Sequence, residues 1–575
     1  MSPAIVACLA LVAYFFGYSI YSKWLANRVF RLNAESTTPA HEFEDGVDFV
    51  PTSPLVLFGH HYASIAGLAP MLGPAVAVFW GWLPALAWLV LGAIFIGCVH
   101  DFAALVLSAR HKGKSIGALC EDILGKQAKY LFLLLITFGV SLAMGVFVFI
   151  ISLLFSWGDD FKPDQLSAST TSFPEVVMPS AGLMIIALIC GWLLNRKKVP
   201  LLYVTLGGFS ALLGMIALGY QIPTMGLSKE SWPTTNSWTW ILMAYAFIAS
   251  VVPVWLLLQT RDFLNSLLLG LGLLMMYSGF FIQSPTFDAP AINANPVGAP
   301  PILPFVFITI ACGAASGFHS LVASGTTARQ LNNELDARPI GYGGMIGEGT
   351  LALVSTICAV AGISLVAEAN LPSVGFVEDL SWATYYDTWA HASGNKATAF
   401  VLGGGALLKS IGLSESLANT LMAVLVISFA ATTLDTATRI QRFILNEFGQ
   451  ATKIEFLSNR YIATMIAVLP AMLMAFWNIT DPGTGALKQA GWILWPIFGA
   501  SNQMLAALTL MVLTLYYWIR KKPILPLLIP MIIIMIVTFT ALLSNAIKFY
   551  GVNGTLFFLN IILIVLIIWM VFEGV

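Results

Sequence analysis

Charge is what this 575-residue chain has least of. Asp, Glu, Lys and Arg together make up 10% of it, against about 25% in soluble domains. A water-facing surface cannot be built from so few charges, which excludes a soluble globular protein. The six cysteines (Cys8, Cys98, Cys120, Cys190, Cys312 and Cys358) form no CxxC pair, and no histidine–cysteine set has zinc spacing. They read as small packing residues within helices. HExxH does not occur. GKS at Gly113–Ser115 resembles a phosphate-binding loop, but Ser108 stands where its first glycine belongs. Neither metal-dependent hydrolysis nor work driven by the chain's own ATP hydrolysis is therefore indicated. No basic stretch precedes the first apolar run; Lys23, Arg28 and Arg31 follow it. That argues for a retained first helix rather than a cleaved signal peptide. No linker or soluble domain is evident.

Apolar residues are what is there, at 58% with a mean hydropathy of +0.85. They come in runs of about 17 to 27, the length that crosses a hydrocarbon core of roughly 30 Å. The chain reads as an all-α polytopic membrane protein with about fifteen spans. These lie near 3–22, 54–78, 82–108, 130–156, 178–195, 199–221, 238–259, 262–283, 302–324, 343–366, 416–438, 461–478, 491–518, 523–544 and 555–573. The connections after odd-numbered spans hold 21 of the 27 Lys and Arg residues. The positive-inside rule makes that side cytoplasmic, so the N-terminus is expected outside and the C-terminus inside. The longest polar connection, about 367–415, contains the apolar piece AFVLGGGALL, Ala399–Leu408. A re-entrant or interfacial segment over 396–412 is expected; a sixteenth span would break the charge alternation.

Four of the seven histidines, His60, His61, His100 and His319, fall in or at the edge of these spans, with Asp101, Glu348 and Asp435. At bilayer depth each needs a partner or a water-filled cavity. Together they point to a substrate or ion pathway, with structural hydrogen bonding as the other reading. The second span carries Gly59, Gly67, Pro70, Gly73 and Pro74, the signature of a discontinuous helix. A half-helix N-terminus at Gly59–His61 is expected to offer N–H donors to a substrate carboxylate. Gly59-x-His61 continues to Gly67, and in the ninth span Gly317-x-His319 continues to Gly325. The two spans run in opposite directions, as an inverted repeat requires. In SFAATTLDTATR, Ser428–Arg439, Thr432, Asp435 and Thr436 share a helix face with Thr433 beside them. That suits a cation or proton site; pairing of Asp435 with Arg439 is the equal alternative. Glu348, in GYGGMIGEGT, reads as a gate residue or a snorkelling surface acid. Asp101, in the HDF of His100–Phe102, is expected to pair with a neighbouring histidine. Asn502 and Gln503 are expected to bond between helices or, less often, to touch substrate.

FGHHYASIAGLAPMLGP, HDF, SGFHSLVASGTTARQ, GYGGMIGEG, FAATTLDTATR and LWPIFGASNQMLAAL resemble the carbon starvation protein A family across about residues 54–508. The resemblance implies a bacterial inner-membrane carrier of peptides or pyruvate-like carboxylates, driven by protons or sodium, that serves carbon-starved cells. It implies a five-plus-five inverted-repeat (LeuT/APC-like) core, here about 54–221 and 302–518 of one transporter domain, with peripheral helices at 3–22, 238–283 and 523–573. A rival mapping starts the second repeat at the seventh span. In sodium-coupled relatives of that fold the helix holding Thr432 and Thr433 supplies hydroxyl ligands.

The reading is thus a secondary active importer, not an enzyme, with no cofactor besides a coupling proton or sodium ion. Its partners are a small-molecule substrate and membrane lipid, with no nucleic acid; a channel or nutrient sensor is the alternative. Substrate is assigned to Gly59, His60, His61, Ser64, Gly317, His319, Ser320, Asn502 and Gln503. Coupling is assigned to His100, Asp101, Glu348, Thr432, Thr433, Asp435 and Thr436.

Overall fold

A computed structural model describes residues 2–159, 161–163, 172–294, 296–371, 375–394, 396–480 and 487–574. The long apolar runs form helices, because in hydrocarbon every backbone N–H must find its partner within its own segment. In chain order the helices used below are α1 Pro3–Phe30, α2 Pro54–Ile65, α3 Ala69–Trp80, α4 Trp82–Arg110, α5 Lys126–Phe155, α6 Pro174–Asn195 and α7 Leu201–Gln221. Next come α8 Thr235–Val251, α9 Leu258–Gln283, α10 Ile302–Thr309, α11 Gly317–Gly325 and α12 Glu334–Leu365. The rest are α13 Lys396–Lys409, α14 Glu415–Thr452, α15 Arg460–Phe476, α16 Trp495–Ile519, α17 Leu525–Phe549 and α18 Gly554–Gly574.

Among the described residues eleven helices are long and apolar enough to span, and α2 with α3 make a twelfth bent by 46°. The other three expected spans are α8 and α15, of 17 residues each, and the α10–α11 pair of 8 and 9 residues. The chain is a multi-pass membrane protein. Outer helices turn apolar side chains outward, as Leu9 and Phe15 on α1 and Ile547 on α17 do. α14 is buried along most of its length and forms the centre.

α13 occupies the expected re-entrant stretch. Its 14 residues rise about 21 Å, too short to cross. It packs backbone to backbone: Gly403 abuts the Cys358 carbonyl, and Gly279 of α9 abuts the Leu407 carbonyl. GGG therefore serves close helix approach rather than flexibility. A small hairpin, β1 Glu368–Leu371 with β2 Gly375–Glu378, precedes it.

The expected interruption of the second span is present, and the ninth span is interrupted as well. Between α2 and α3 the backbone leaves the helix at Ala66–Leu68. Pro70 has no N–H to continue the ladder, and the next turn restarts at the Leu68 carbonyl, to which the Met71 and Leu72 N–H groups donate. Between α10 and α11, Gly313 takes φ +91° and Ser316 is extended. Gly67 lies in the first break with its Cα against the Thr433 hydroxyl. We expect Gly67→Ala to overpack this contact and to cost about 1–3 kcal/mol. Thermal unfolding in detergent measures it, and Thr433→Ala in the same chain should restore most of the loss. A fully tolerated Gly67→Ala would mean the break does not depend on this contact.

Candidate functional site

The breaks do not share a register. Gly59 and His61 sit inside α2, before its break, whereas Gly317 and His319 open α11, after its break. The matched glycines and histidines are therefore not at equivalent positions. The expected half-helix N-terminus at Gly59–His61 is also absent: α2 starts at Pro54, and the helix starts at the breaks are Ala69 and Gly317. Gly59 instead admits Phe263 and Ser266 of α9, and Gly317 admits Asn502, Leu505 and Ala506 of α16. What unites α2 and α11 is side. Both face the end of the bundle that carries the basic connections, and His61 Nδ1 lies 2.9 Å from Thr327 Oγ1, just past α11. His61 Nε2 is buried with no hydrogen-bond partner.

Two buried polar centres flank this pair. The first surrounds His319. Its Nδ1 is 2.9 Å from Asp101 Oδ2 on α4, while Asp101 Oδ1 is 2.8 Å from His100 Nδ1. A carboxylate only accepts, so His319 Nδ1 donates to Asp101. Nε2 lies 3.0 Å from Glu348 Oε2 on α12, but off the N–H axis, so neither atom completes a hydrogen bond. Glu348 is fully buried, which rules out snorkelling. The expected pairing of Asp101 with a histidine is realised twice. His100 Nε2 is also buried without a partner.

The second centre joins α2, α8, α9 and α14. His60 Nδ1 is 2.6 Å from Asp262 Oδ2, to which Ser64 also donates at 3.2 Å. Arg261 donates from Nε to Asp262 Oδ1 at 3.0 Å, and Arg261 Nη1 contacts Asp435 Oδ2 directly. Tyr245 Oη bridges, donating to Asp435 at 2.6 Å and accepting from Arg261 at 2.7 Å. Asp435 thus pairs with Arg261 and not with Arg439. Arg439 and Arg442 go to Asp48, in the loop before α2, at 2.7 and 3.0 Å.

The remaining assigned residues are placed as follows. Thr436 reaches Ser64 at 3.4 Å. The Thr432 hydroxyl lies 2.7 Å from Phe429 O and 3.2 Å from Ala63 O, and Thr433 donates to Phe429 O at 3.1 Å. Ser320 donates to Gly317 O at 2.8 Å. Asn502 and Gln503 tie α16 to the broken span: Asn502 Oδ1 accepts from Phe318 N at 2.8 Å, and Gln503 donates to Phe307 O at 2.9 Å. The helix-tying reading fits both.

Sequence reasoning missed Arg261, Asp262, Tyr245, Thr327 and Asp48. Arg261 was legible as a connection charge before the eighth span and Asp262 as the first residue of that span, so neither stood out as an intramembrane charge. In the fold both are fully buried. The adjacent pairing of opposite charges at the head of an apolar helix was the available signal.

A family model described as carbon starvation protein CstA matches residues 2–541. The chain is 32% identical over 567 residues to a peptide transporter CstA of Helicobacter pylori (strain J99), covering 92% of this chain and 79% of that one. It is 30% identical to the pyruvate/proton symporter BtsT of Escherichia coli, covering 90% and 79% respectively. A solved manganese transporter mutant of Eremococcus coleocola superposes with a TM-score of 0.46 at 11% identity, covering 92% of this chain and 98% of that one.

Proposed function

The chain belongs to the carbon starvation protein CstA family, and from that premise we propose a proton-coupled secondary importer of a small carboxylate-bearing nutrient, a peptide or a pyruvate-like acid. The observation that carries the coupling is the α2–α8–α9–α14 centre. Two carboxylates, Asp262 and Asp435, face one guanidinium, Arg261, and His60 touches Asp262. Arg439 lies one turn along α14, but its bonds go to Asp48 and to the Ala249 and Val252 carbonyls. Tyr245 and Gln330 complete the surroundings of Arg261 and His60. The centre thus holds two carboxylates against one guanidinium, and a proton shared across the His60–Asp262 contact would balance it. A proton there tightens the hold of α2 on Asp262 and changes how α9 is shared between α2 and α14. Coupling of that kind links proton loading to movement of a broken helix against the bundle.

Substrate is read at the breaks. Buried His61 Nε2, steadied through Nδ1 by Thr327, offers a hydrogen bond to a carboxylate. The basic end is read as cytoplasmic, in a bacterial inner membrane, and residues 54–221 and 302–518 as the two halves of the core.

Proteoliposomes holding the full chain test this, with pyruvate and di- or tripeptides offered under separate proton and sodium gradients. An inward proton gradient should drive accumulation of one class. His61→Ala should cut uptake at least about tenfold, the loss of one hydrogen bond to a charged group. His60→Asn should leave equilibration without accumulation. Accumulation driven by sodium alone, or proton-driven accumulation surviving in His60→Asn, would overturn the coupling assignment. Equilibration without accumulation by the wild type would mark a channel or sensor instead.

A further inference from the structure

The His319 centre has a third donor that no spacing rule singles out. Cys312 lies in the 310–316 break, seven residues before His319 and far from Glu348 in sequence. One ligand atom each from Cys312, His319 and Glu348 falls within 4.8 Å of the others, and all three residues are buried. We propose that these three residues form a binding site for a borderline divalent cation of the zinc or cobalt class.

Three independent features support it. First, buried polar atoms normally find hydrogen-bond partners, yet among the described residues His319 Nε2 and both Glu348 oxygens have none. The 3.0 Å contact between Nε2 and Glu348 Oε2 is not aligned as a hydrogen bond, and ligand atoms of three residue types gathered within 4.8 Å suit an ion. Second, His319 Nδ1 donates to Asp101, itself held by His100. Metal-bound histidines are typically oriented this way, with the second ring nitrogen on a carboxylate. Third, the Cys312 sulfur is held in place beside the break, accepting from Asn502 Nδ2 at 3.3 Å and lying 3.5 Å from Ser316 Oγ. The donor set selects the metal. One thiolate, one imidazole and one carboxylate suit zinc, cobalt or ferrous iron, whereas magnesium and calcium take oxygen donors. Three protein ligands leave a fourth position open.

On binding, the cation replaces the thiol hydrogen of Cys312, which leaves as a proton. The ion then joins the α10–α11 break to α12. That bracing restrains the segment that must move in any alternating-access cycle, so the site is regulatory and does not depend on the substrate assigned above.

The test uses purified full-length protein in nanodiscs, titrated with cobalt. The wild type should bind about one ion with thiolate-to-cobalt charge-transfer absorption, displaced by zinc. Cys312→Ser should lose that absorption while retaining proton-driven uptake, because no transport role falls to the sulfur. Asp101→Asn should weaken cobalt binding roughly 10- to 100-fold by releasing the His319 ring. Micromolar zinc should slow uptake by the wild type and not by Cys312→Ser. Should Cys312→Ser fail to fold, Glu348→Gln provides the same comparison through stoichiometry and affinity. Absence of cobalt binding by the wild type, or an unchanged spectrum and affinity in the folded variant, would overturn the site.

Discussion

Arg261→Met is expected to be the most damaging single substitution in the chain. The guanidinium is fully buried and holds Asp262 on its own helix and Asp435 on α14, with Tyr245 bridging. Methionine keeps much of the volume and removes the charge. Two carboxylates then face each other with no guanidinium between them. Removing one partner of a buried ion pair costs about 3–5 kcal/mol, because the charge left behind is desolvated and unpaired. Detergent-solubilised protein should unfold at clearly lower temperature, and uptake should be lost. The decisive comparison is a double-mutant cycle. Arg261→Met with Asp435→Asn removes one cation and one anion together and should recover a large part of the stability lost by Arg261→Met alone. Equal destabilisation by the single and double variants would mean that the pair is not coupled as described.

Asp48→Asn should be nearly as costly, with a pH signature besides. Asp48 lies outside the spans and accepts from Arg439 and Arg442, both almost fully buried. Burial alone would raise its pKa; the guanidinium groups of Arg442, Arg439 and Arg329 outweigh that and hold it below the ordinary 3.8. A carboxylate with a depressed folded pKa contributes stability above its unfolded pKa and loses it as pH falls through the folded one. The wild type should therefore lose this contribution only below about pH 3.8. Asp48→Asn leaves two buried guanidinium groups without their carboxylate, a loss on the order of 3 kcal/mol at neutral pH. Its thermal stability should show less dependence on pH in that acidic window. An Asp48→Asn profile parallel to the wild type would show that the two arginines are balanced elsewhere. The contact also anchors the loop before α2 to α14, so its loss should loosen the entry to the broken helix.

Much of the membrane architecture was legible in the sequence because bilayer physics leaves few choices. Long apolar runs must become helices, and the close grouping of Gly67, Pro70, Gly73 and Pro74 favours a break in the second. The broken second span, the burial of the intramembrane histidines and acids, and the helix-tying contacts of Asn502 and Gln503 all follow from such local rules. The short helix α13 was also foreshadowed, since its apolar stretch is too brief to cross.

Other features came only from packing. Glycine spacing suggested that Gly59–His61 and Gly317–His319 were counterparts, but their places relative to the breaks differ, because each glycine was serving a different neighbouring helix. Sequence spacing left Asp435 equally free to pair with Arg439, one turn away; the fold gave it Arg261, 174 residues distant. Arg261, Arg439 and Arg442 entered the basic tally as connection charges and are buried. Cys312, His319 and Glu348 share no motif and meet only where α12 packs beside the second break. By itself the sequence determined that the chain crosses a membrane as helices and that its second span is prone to break, since those follow from hydropathy and backbone chemistry along the chain. Which buried charge faces which was decided by the tertiary structure, because a charge in a low-dielectric interior is stabilised by whatever partner packing brings within reach, at any distance in sequence.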